Sequence, residues 1–256
     1  MGRGASVLAQ PKVGVQLIVY RGRQNEDLPG VLAEVKAAGY AGVETGVLSK
    51  HYSLQEIKDA LAEQGLELCG VHASFATYAQ EEQVEELAAY ARALGAKFAM
   101  CSGVADRQSL QGFVDSVAVL NRAGEQLKQA GVRLLYHNHA WEFAEFDGKK
   151  GIHVLAEGLD PALVGLCVDV YWVHIGGERP EEFIARYADR IPYYHIKDGA
   201  PGKFTELGRG EVDLPAAVRA ALSTGPEWLV VEQDRSEIAP GEACRISRQY
   251  LRTLGI

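Results

Sequence analysis

The hydrophobic pattern of this chain alternates between the period of a strand and that of a helix. Short β-branched or aromatic runs occur eight times, each with the length of an ordinary strand. These predicted strands are residues 13–19, 42–44, 67–72, 97–101, 133–138, 164–170, 193–196 and 228–232. Between them, apolar residues recur at helical spacing, as in residues 28–38, 54–64, 81–94 and 108–130.

Several predicted helices end at a glycine that directly precedes the next strand. The glycines at 39, 65, 95 and 131 have this position, which is typical of a left-handed helix C-cap. Eight strands alternating with helices in 256 residues match a (β/α)8 TIM barrel better than an open doubly wound sheet. The G-x-G-x-x-G sequence of a Rossmann fold is absent. We therefore predict one α/β barrel domain over residues 1–256, with residues 1–11 as a disordered tail.

The net charge of the chain argues against nucleic acid as a binding partner. Lys and Arg number 26 against 34 Asp and Glu, giving a formal net charge of −8, and no basic stripe is present to bind nucleic acid. No apolar run is long enough to span a bilayer, and the N-terminus lacks an apolar signal region. We therefore predict no membrane partner and a cytoplasmic location. Four cysteines without a C-x-x-C pair favour buried, reduced thiols over a disulfide or a zinc site.

Polar residues end three of the predicted strands. Asp169, His195 and Glu232 each directly follow an apolar run, and the C-terminal ends of barrel strands form the active face. A single polar strand end is more often a cap or a salt-bridge partner. Three polar residues buried together at one face need hydrogen-bond partners or a metal ion, because burying them unpaired is costly. Their mixed oxygen and nitrogen donors predict a site for one divalent metal ion, namely Mn, Co, Mg or Zn.

The fifth predicted strand carries the densest cluster of potential ligands, in the sequence YHNHAWEF from residue 136 to 143. His137 and His139 share one side if the strand continues, because strand side chains alternate. Glu142 lies in the loop beyond, from which it can fold back over the mouth. The alternative for either histidine is a hydrogen-bonded wall residue, and the alternative for Glu142 is a solvent-exposed acid.

Other polar residues near strand ends are candidates for binding substrate. Lys197 lies two residues past His195 and on the same side of an extended strand, where its ammonium would neutralise an oxyanion or hold a hydroxyl. A salt bridge to a neighbouring acid is an equally good interpretation of Lys197. Glu44 and His72 end the second and third strands, and would hydrogen-bond sugar hydroxyls unless they form structural pairs.

Three loop residues complete the predicted substrate-binding set. Trp172 and His174 follow Asp169 in the chain, and an indole offers an apolar face to a sugar ring, although packing is the commoner role of such a tryptophan. Arg209 lies between two glycines after the seventh strand. Backbone freedom there would let it approach a hydroxyl or a phosphate.

These strand ends resemble the metal site of the xylose-isomerase-like barrel superfamily, most closely its sugar phosphate isomerase/epimerase branch. The supporting sequences are GYAGVE at 39–44, YHNH at 136–139, HIKD at 195–198 and GRGEVD at 208–213. Members such as ketohexose epimerases hold a divalent ion with Glu, Asp, His and Glu from strands five to eight. The resemblance implies that Asp169, His195 and Glu232 are ligands. At strand five this chain has His137 in the place of the first glutamate, so the fourth ligand is either His137 or a returning Glu142.

The resemblance also implies a reaction, because relatives bind two substrate oxygens to the ion and move a proton at the carbon next to a carbonyl. A divalent cation polarises the carbonyl and stabilises the enediolate charge, while a carboxylate of tuned pKa takes and returns the proton. Glu232 is the candidate for a ligand that also acts as base. Glu142, if it is not a ligand, becomes the candidate for the opposing acid or base.

Three hypotheses for function follow. The first is a metal-dependent isomerase or epimerase of a keto-sugar, a keto-polyol or their phosphates. The second is a dehydratase or lyase of a keto-inositol or 3-keto-glycoside, favoured by the histidine-rich fifth strand because an imidazole can protonate a leaving oxygen. The third is a non-catalytic sugar-binding barrel, motivated by the missing fifth-strand glutamate. The acidic balance argues against a DNA endonuclease of the same superfamily.

The expected partner in each hypothesis is a small-molecule sugar or polyol. Members of the superfamily often form dimers or tetramers, so the resemblance is also compatible with a homo-oligomer.

Overall fold

A computed structural model describes residues 10–256, in which eight parallel strands close a barrel. The strands are β1 (Lys12–Gln16), β2 (Gly42–Thr45), β3 (Glu67–Ser74), β4 (Phe98–Ser102), β5 (Arg133–His137), β6 (Val164–Asp169), β7 (Tyr193–Ile196) and β8 (Trp228–Val231). Their order around the barrel follows the chain, and β8 closes against β1. The predicted (β/α)8 barrel is confirmed. Residues 1–9 of the predicted tail lie outside the described part of the chain.

A helix follows each strand before the next strand begins. The helices are α1 (Leu28–Ala38), α2 (Leu54–Gln64), α3 (Glu81–Ala93), α4 (Leu110–Gln129), α5 (Gly151–Gly158), α6 (Pro180–Arg186), α7 (Leu214–Ser223) and α8 (Pro240–Thr253). Short helices at Phe75–Tyr78 and Val170–Ile175, and a hairpin of Asp198–Ala200 with Lys203–Thr205, lie in the loops after β3, β6 and β7. None of the described helices is both long and apolar enough to cross a membrane.

Local sequence sets the ends of the helices. Ser53 and Glu56 form a reciprocal capping box at the start of α2. Gly39 and Gly65, which follow α1 and α2, have the predicted left-handed conformation with φ of 93° and 57°. The turn that each glycine makes carries the chain from the outer helix back to the next barrel strand.

Four predicted strands extend past the observed ends, and at β1 and β6 a polar side chain ends the strand. The Gln16 side chain accepts a hydrogen bond from Ile18 N at 2.8 Å, which turns the chain into a 3-10 helix at Leu17–Tyr20. Asp169 Oδ1 accepts from Trp172 N at 3.0 Å and so caps the short helix after β6. Both caps bring a polar residue to the C-terminal mouth of the barrel.

The apolar core has two parts. One fills the barrel interior with Cys69, Phe98, Met100, Leu135, Cys167, Tyr193, Trp228 and Val230. The other, larger part packs the outer faces of the strands against the helices. All four cysteines are buried and free, as the sequence predicts. With the interior filled by apolar side chains, the polar groups are left at the strand ends.

Candidate metal centre and active site

Four polar side chains meet at the C-terminal ends of β5 to β8. They are His137, Asp169, His195 and Glu232, all buried, and their potential ligand atoms all lie within 4.8 Å of one another. Asp169 and His195 are paired in register on adjacent strands, which sets two of them side by side. The structure therefore brings the three predicted strand-end residues together and adds His137.

Two atoms of this group are buried without a hydrogen-bond partner among the described residues, namely Asp169 Oδ2 and His195 Nδ1. His195 Nδ1 lies 2.7 Å from Glu232 Oε2, but the geometry is not that of a hydrogen bond. Unpaired buried polar atoms are costly, and a shared cation would satisfy both. Two imidazoles and two carboxylates are a suitable donor set for a first-row divalent metal, so the residues fit such an ion.

Glu142 lies beside this group instead of within it. Its carboxylate is fully buried and accepts hydrogen bonds from Tyr136 Oη at 2.9 Å and from His139 N at 2.8 Å. Burial raises the pKa of Glu142 to about 8, against the lowering effect of these two donors. Of the two candidates for a fourth ligand, His137 is the one that lies within the group.

Glu44 holds the group from inside the barrel. Its Oε2 accepts from His195 Nε2 at 2.7 Å and from Tyr193 Oη at 2.7 Å, and its Oε1 lies 3.2 Å from both Gln16 Nε2 and His72 Nδ1. Burial alone would raise the pKa of Glu44, but the His195 and His72 rings lower it to about 2. A carboxylate that holds one ring nitrogen of a histidine leaves the other nitrogen directed at a metal.

The protonation of the group differs from residue to residue. Burial lowers the pKa of His137 well below its ordinary value, which keeps the ring neutral. Burial has the same effect on His195, but Cys167, Glu44 and Glu232 outweigh it and raise the pKa of His195. Burial also raises the pKa of Asp169 to about 7, although Lys197 opposes this shift. A metal ion would therefore compete with protons for this site.

Lys197 is a fully buried cation next to the group. Its Nζ donates to Glu232 Oε1 at 3.0 Å, lies 4.0 Å from Asp169 Oδ2 and pairs with Asp234. The rings of Trp172 and Phe204 are each 4.7 Å from the ammonium. Burial disfavours the charge, but the three acids raise the pKa of Lys197 above its ordinary value. Lys197 is therefore a fixed positive charge. It forms salt bridges to neighbouring acids, which was the alternative role that the sequence suggested for it.

A mouth cavity of about 320 Å³ opens above the group. Its walls come from six strand ends or the loops after them. The lining residues are Gln16, Ile18, Gln24, Thr45, Gly46, His72, Ser102, His137, His139, Glu232 and Asp234. A cavity of this size and polarity can hold a small polyol.

The predicted substrate-binding residues fall into two sets. His72 and His139 line the mouth cavity, whereas the described residues around it do not include Glu44, Trp172, His174 or Arg209. Glu44 is buried beneath the cavity, and Trp172 packs against Lys197. Arg209 is half exposed and pairs with Glu206 at 2.9 Å.

The lining residues that sequence reasoning missed include the polar residues Gln16, Ser102 and Asp234. Asp234 lies two residues after Glu232, so the alternation that singled out Lys197 after His195 applies to it as well. Gln16 and Ser102 end β1 and β4, but an amide and a hydroxyl at a strand end are too common to stand out in a single sequence.

Comparisons with known proteins agree with this fold. Residues 32–254 match the model of a family described as xylose isomerase-like TIM barrel. An inosose dehydratase of Geobacillus kaustophilus is 27% identical to this chain, with 90% of this chain and 91% of the relative covered.

Two solved structures share the barrel at lower sequence identity. A sugar phosphate isomerase/epimerase from Parabacteroides distasonis superposes with a TM-score of 0.84 and 22% identity, covering 96% of both chains. The IOLI protein with a bound zinc atom superposes with a TM-score of 0.74 and 18% identity, covering 95% of this chain and 97% of that one. At these identities the superpositions show a common fold.

Proposed function

This chain belongs to the xylose isomerase-like TIM barrel family, and we propose that it is a metal-dependent lyase that removes water or an alcohol from a keto-polyol. The observation that carries the proposal is the compact group of His137, Asp169, His195 and Glu232 below a polar mouth cavity. The similarity to an inosose dehydratase over nine-tenths of the chain supports elimination as the outcome.

The four residues of this group would hold the cation through two ring nitrogens and two carboxylates. The zinc in the similar IOLI structure supports Zn as a candidate beside Mn, Co and Mg. When bound, the ion would polarise the substrate carbonyl and stabilise the charge that develops as the neighbouring proton leaves.

Glu232 is the candidate base that takes this proton. Burial alone would raise the pKa of Glu232, but Lys197 and His195 lower it well below its ordinary value, so the carboxylate is ionised at neutral pH, as a proton acceptor must be. Lys197, 3.0 Å from Glu232 Oε1, places a fixed positive charge beside the reacting carbon. That charge stabilises an oxyanion without itself giving up a proton.

His139 and Glu142 are the candidates for protonating the leaving oxygen. Burial lowers the pKa of His139 to about 4, so its ring is neutral, while the pKa of Glu142, about 8, keeps most of that acid protonated at neutral pH. His139 Nδ1 has no hydrogen-bond partner among the described residues and lies 4.0 Å from Glu142 Oε1. The imidazole can give its proton to the leaving oxygen and recover one from Glu142.

An isomerase or epimerase remains the second candidate, supported by the superposition on a sugar phosphate isomerase/epimerase. Epimerisation needs proton-transfer groups on two faces of one carbon. In this chain Glu232 belongs to the candidate metal group, whereas Glu142 is held outside it by Tyr136 and His139. Because the two acids have different surroundings, we assign them different roles, with Glu232 as the base and Glu142 as part of the proton donor to the leaving group. Different roles are what an elimination requires.

Product analysis on a keto-inositol separates the two candidates. The protein, stripped with a chelator and reloaded with Zn, Mn, Co or Mg, is expected to release water and form an unsaturated ketone or its diketone tautomer. A product isomeric with the substrate and carrying solvent deuterium would support the epimerase instead. Activity of Glu232→Gln equal to that of the parent chain would exclude Glu232 as the base. Glu63→Gln, on the exposed surface of α2, is the matched control.

A further inference from the structure

A second cavity of about 470 Å³ lies directly beside the mouth cavity and shares Ser102 and His139 with it. We call it the side trough. Its remaining lining residues are Gly103, Val104, Ala105, Asp106, Arg107, Gln108 and Trp141. Because the two cavities have two wall residues in common, they are neighbours, and together they offer room for more than the single ring that the metal group would hold.

The loop that forms one wall of the side trough is held in place by its own hydrogen bonds. Ala105 N donates to Ser116 Oγ on α4 at 2.8 Å. The Asp106 carboxylate accepts from Gln108 N at 2.9 Å and from Ser109 Oγ at 2.7 Å. A wall held in this way is preorganised, so little conformational entropy is lost when a ligand binds.

The opposite wall is aromatic. Trp141 follows β5, is half buried, and stacks on His139 with the ring planes 17° apart. Phe113 of α4 supports it from behind, with the ring centroids 5.9 Å apart. An indole next to polar groups is suited to the apolar face of a sugar ring.

The polar side chains of the side trough favour an uncharged ligand. Arg107 and Gln108 are exposed, and within residues 10–256 neither side chain forms an ion pair or a side-chain hydrogen bond, so their donors are free for hydroxyl groups. Asp106 is ionised, because hydrogen bonds from Ser109 and Gln108 lower its pKa. A carboxylate beside the one arginine offsets its charge and opposes a phosphate dianion.

We propose that the side trough is a subsite for the second sugar ring of a two-ring keto-glycoside whose ketone-bearing ring occupies the mouth cavity. The inference rests on the proposed lyase function and specifies its substrate class. His139 lines both cavities, so it lies where the bond between the two rings would cross from one to the other.

The reaction of such a substrate balances as a simple β-elimination. The C–H bond next to the ketone breaks, its proton goes to Glu232, and its electron pair forms the new C=C bond. The C–O bond to the second ring breaks with its electron pair on oxygen, which takes a proton from His139 while the His139 ring recovers a proton from Glu142. The products are an unsaturated keto-sugar and the second sugar with a free hydroxyl, and no oxidant or reductant is needed.

Binding measurements test the subsite independently of turnover. The probes are trehalose with two glucose rings, methyl α-glucoside with one, and glucose 6-phosphate, titrated calorimetrically into the Zn-loaded full chain. We expect trehalose to bind about tenfold more tightly than methyl α-glucoside. Arg107→Ala, which removes donors, and Ala105→Trp, which fills the side trough from an exposed position, should abolish this preference. Arg219→Ala, an exposed arginine on α7, should retain it.

Equal affinity for the two neutral probes, no binding of either, or a preference unchanged by Ala105→Trp would overturn the proposal. Glucose 6-phosphate binding more tightly than trehalose and depending on Arg107 would replace the sugar subsite with an anion site. A trehalose preference that follows the expected pattern in a chain that yields no elimination product would leave the subsite standing and refute the lyase function.

Discussion

Glu44 shows how one buried residue organises the candidate metal group. Its two carboxylate oxygens face four donor side chains, and one of these is the Nε2 edge of His195. The Nδ1 edge of His195 is thereby turned toward Glu232 and Asp169. The sequence places Glu44 at a strand end but does not show whether its side chain faces the cavity or the interior, because that depends on its three-dimensional neighbours.

At the scale of a single residue, Glu142 makes the stability of the folded chain depend on pH. Its pKa of about 8 in the folded chain exceeds the value of about 4.3 expected in an unfolded chain. The folded state therefore binds more protons than the unfolded state between these pH values. The stability that Glu142 contributes is fully present below about pH 4.3 and is lost as pH rises through about 8.

We expect the free energy of unfolding of the metal-free parent chain to fall between pH 6 and 8 by about 1 kcal/mol per pH unit more than that of Glu142→Gln. Urea unfolding at several pH values measures this difference. Glu145→Gln, at an exposed position three residues away, should follow the parent. Parallel pH profiles of the parent and Glu142→Gln would contradict the assignment of a raised pKa.

At the scale of elements, Asp198 fixes the loop after β7. Its carboxylate accepts hydrogen bonds from four backbone amides, those of Gly199, Gly208, Gly210 and Val212, at 2.9 to 3.2 Å. A Cβ on Gly210 would lie 2.1 Å from Asp198 Oδ1, so only glycine fits there. The two sequence motifs HIKD and GRGEVD are therefore joined by these hydrogen bonds into one structural unit, which we call the Asp198 clamp. The sequence does not show this unit, because the two motifs are separated along the chain.

The clamp predicts a specific loss of stability. Asp198→Asn replaces one carboxylate oxygen by an amide group that faces backbone donors, so the free energy of unfolding should fall by about 3 kcal/mol. Urea unfolding measures it against Glu211→Gln, an exposed acid in the same loop. An Asp198→Asn chain as stable as this control would show that the four hydrogen bonds contribute little.

The sequence predicts strand positions well and strand ends less well. All eight barrel strands overlap the predicted ones, because the change from helical to strand period is a local signal. The predicted end of β1 is three residues too late. The Gln16 side chain accepts a hydrogen bond from Ile18 N and turns the chain into a 3-10 helix, and hydrophobic periodicity carries no signal for such a bond. Such contacts also place Gln16 at the mouth cavity, where sequence reasoning did not expect it.

For the whole molecule, the fold and the convergence of strand ends follow from general rules of the barrel. Parallel strands bring their C-terminal ends to one face, so the sequence alone predicts that Asp169, His195 and Glu232 lie close together. The choice between His137 and Glu142 could not be made in that way. It depends on how the loop after β5 folds, and in the structure Tyr136 and the backbone of His139 bind the Glu142 carboxylate outside the group.

The most direct test is calorimetric titration of the chelator-treated chain with Zn²⁺ at pH 7.5. We predict one ion per chain, with affinity reduced at least tenfold in His137→Ala and in Asp169→Asn but not in the surface variant Glu63→Gln. Absence of Zn²⁺ binding, or binding that neither His137→Ala nor Asp169→Asn weakens, would contradict the assignment of the metal site to this group.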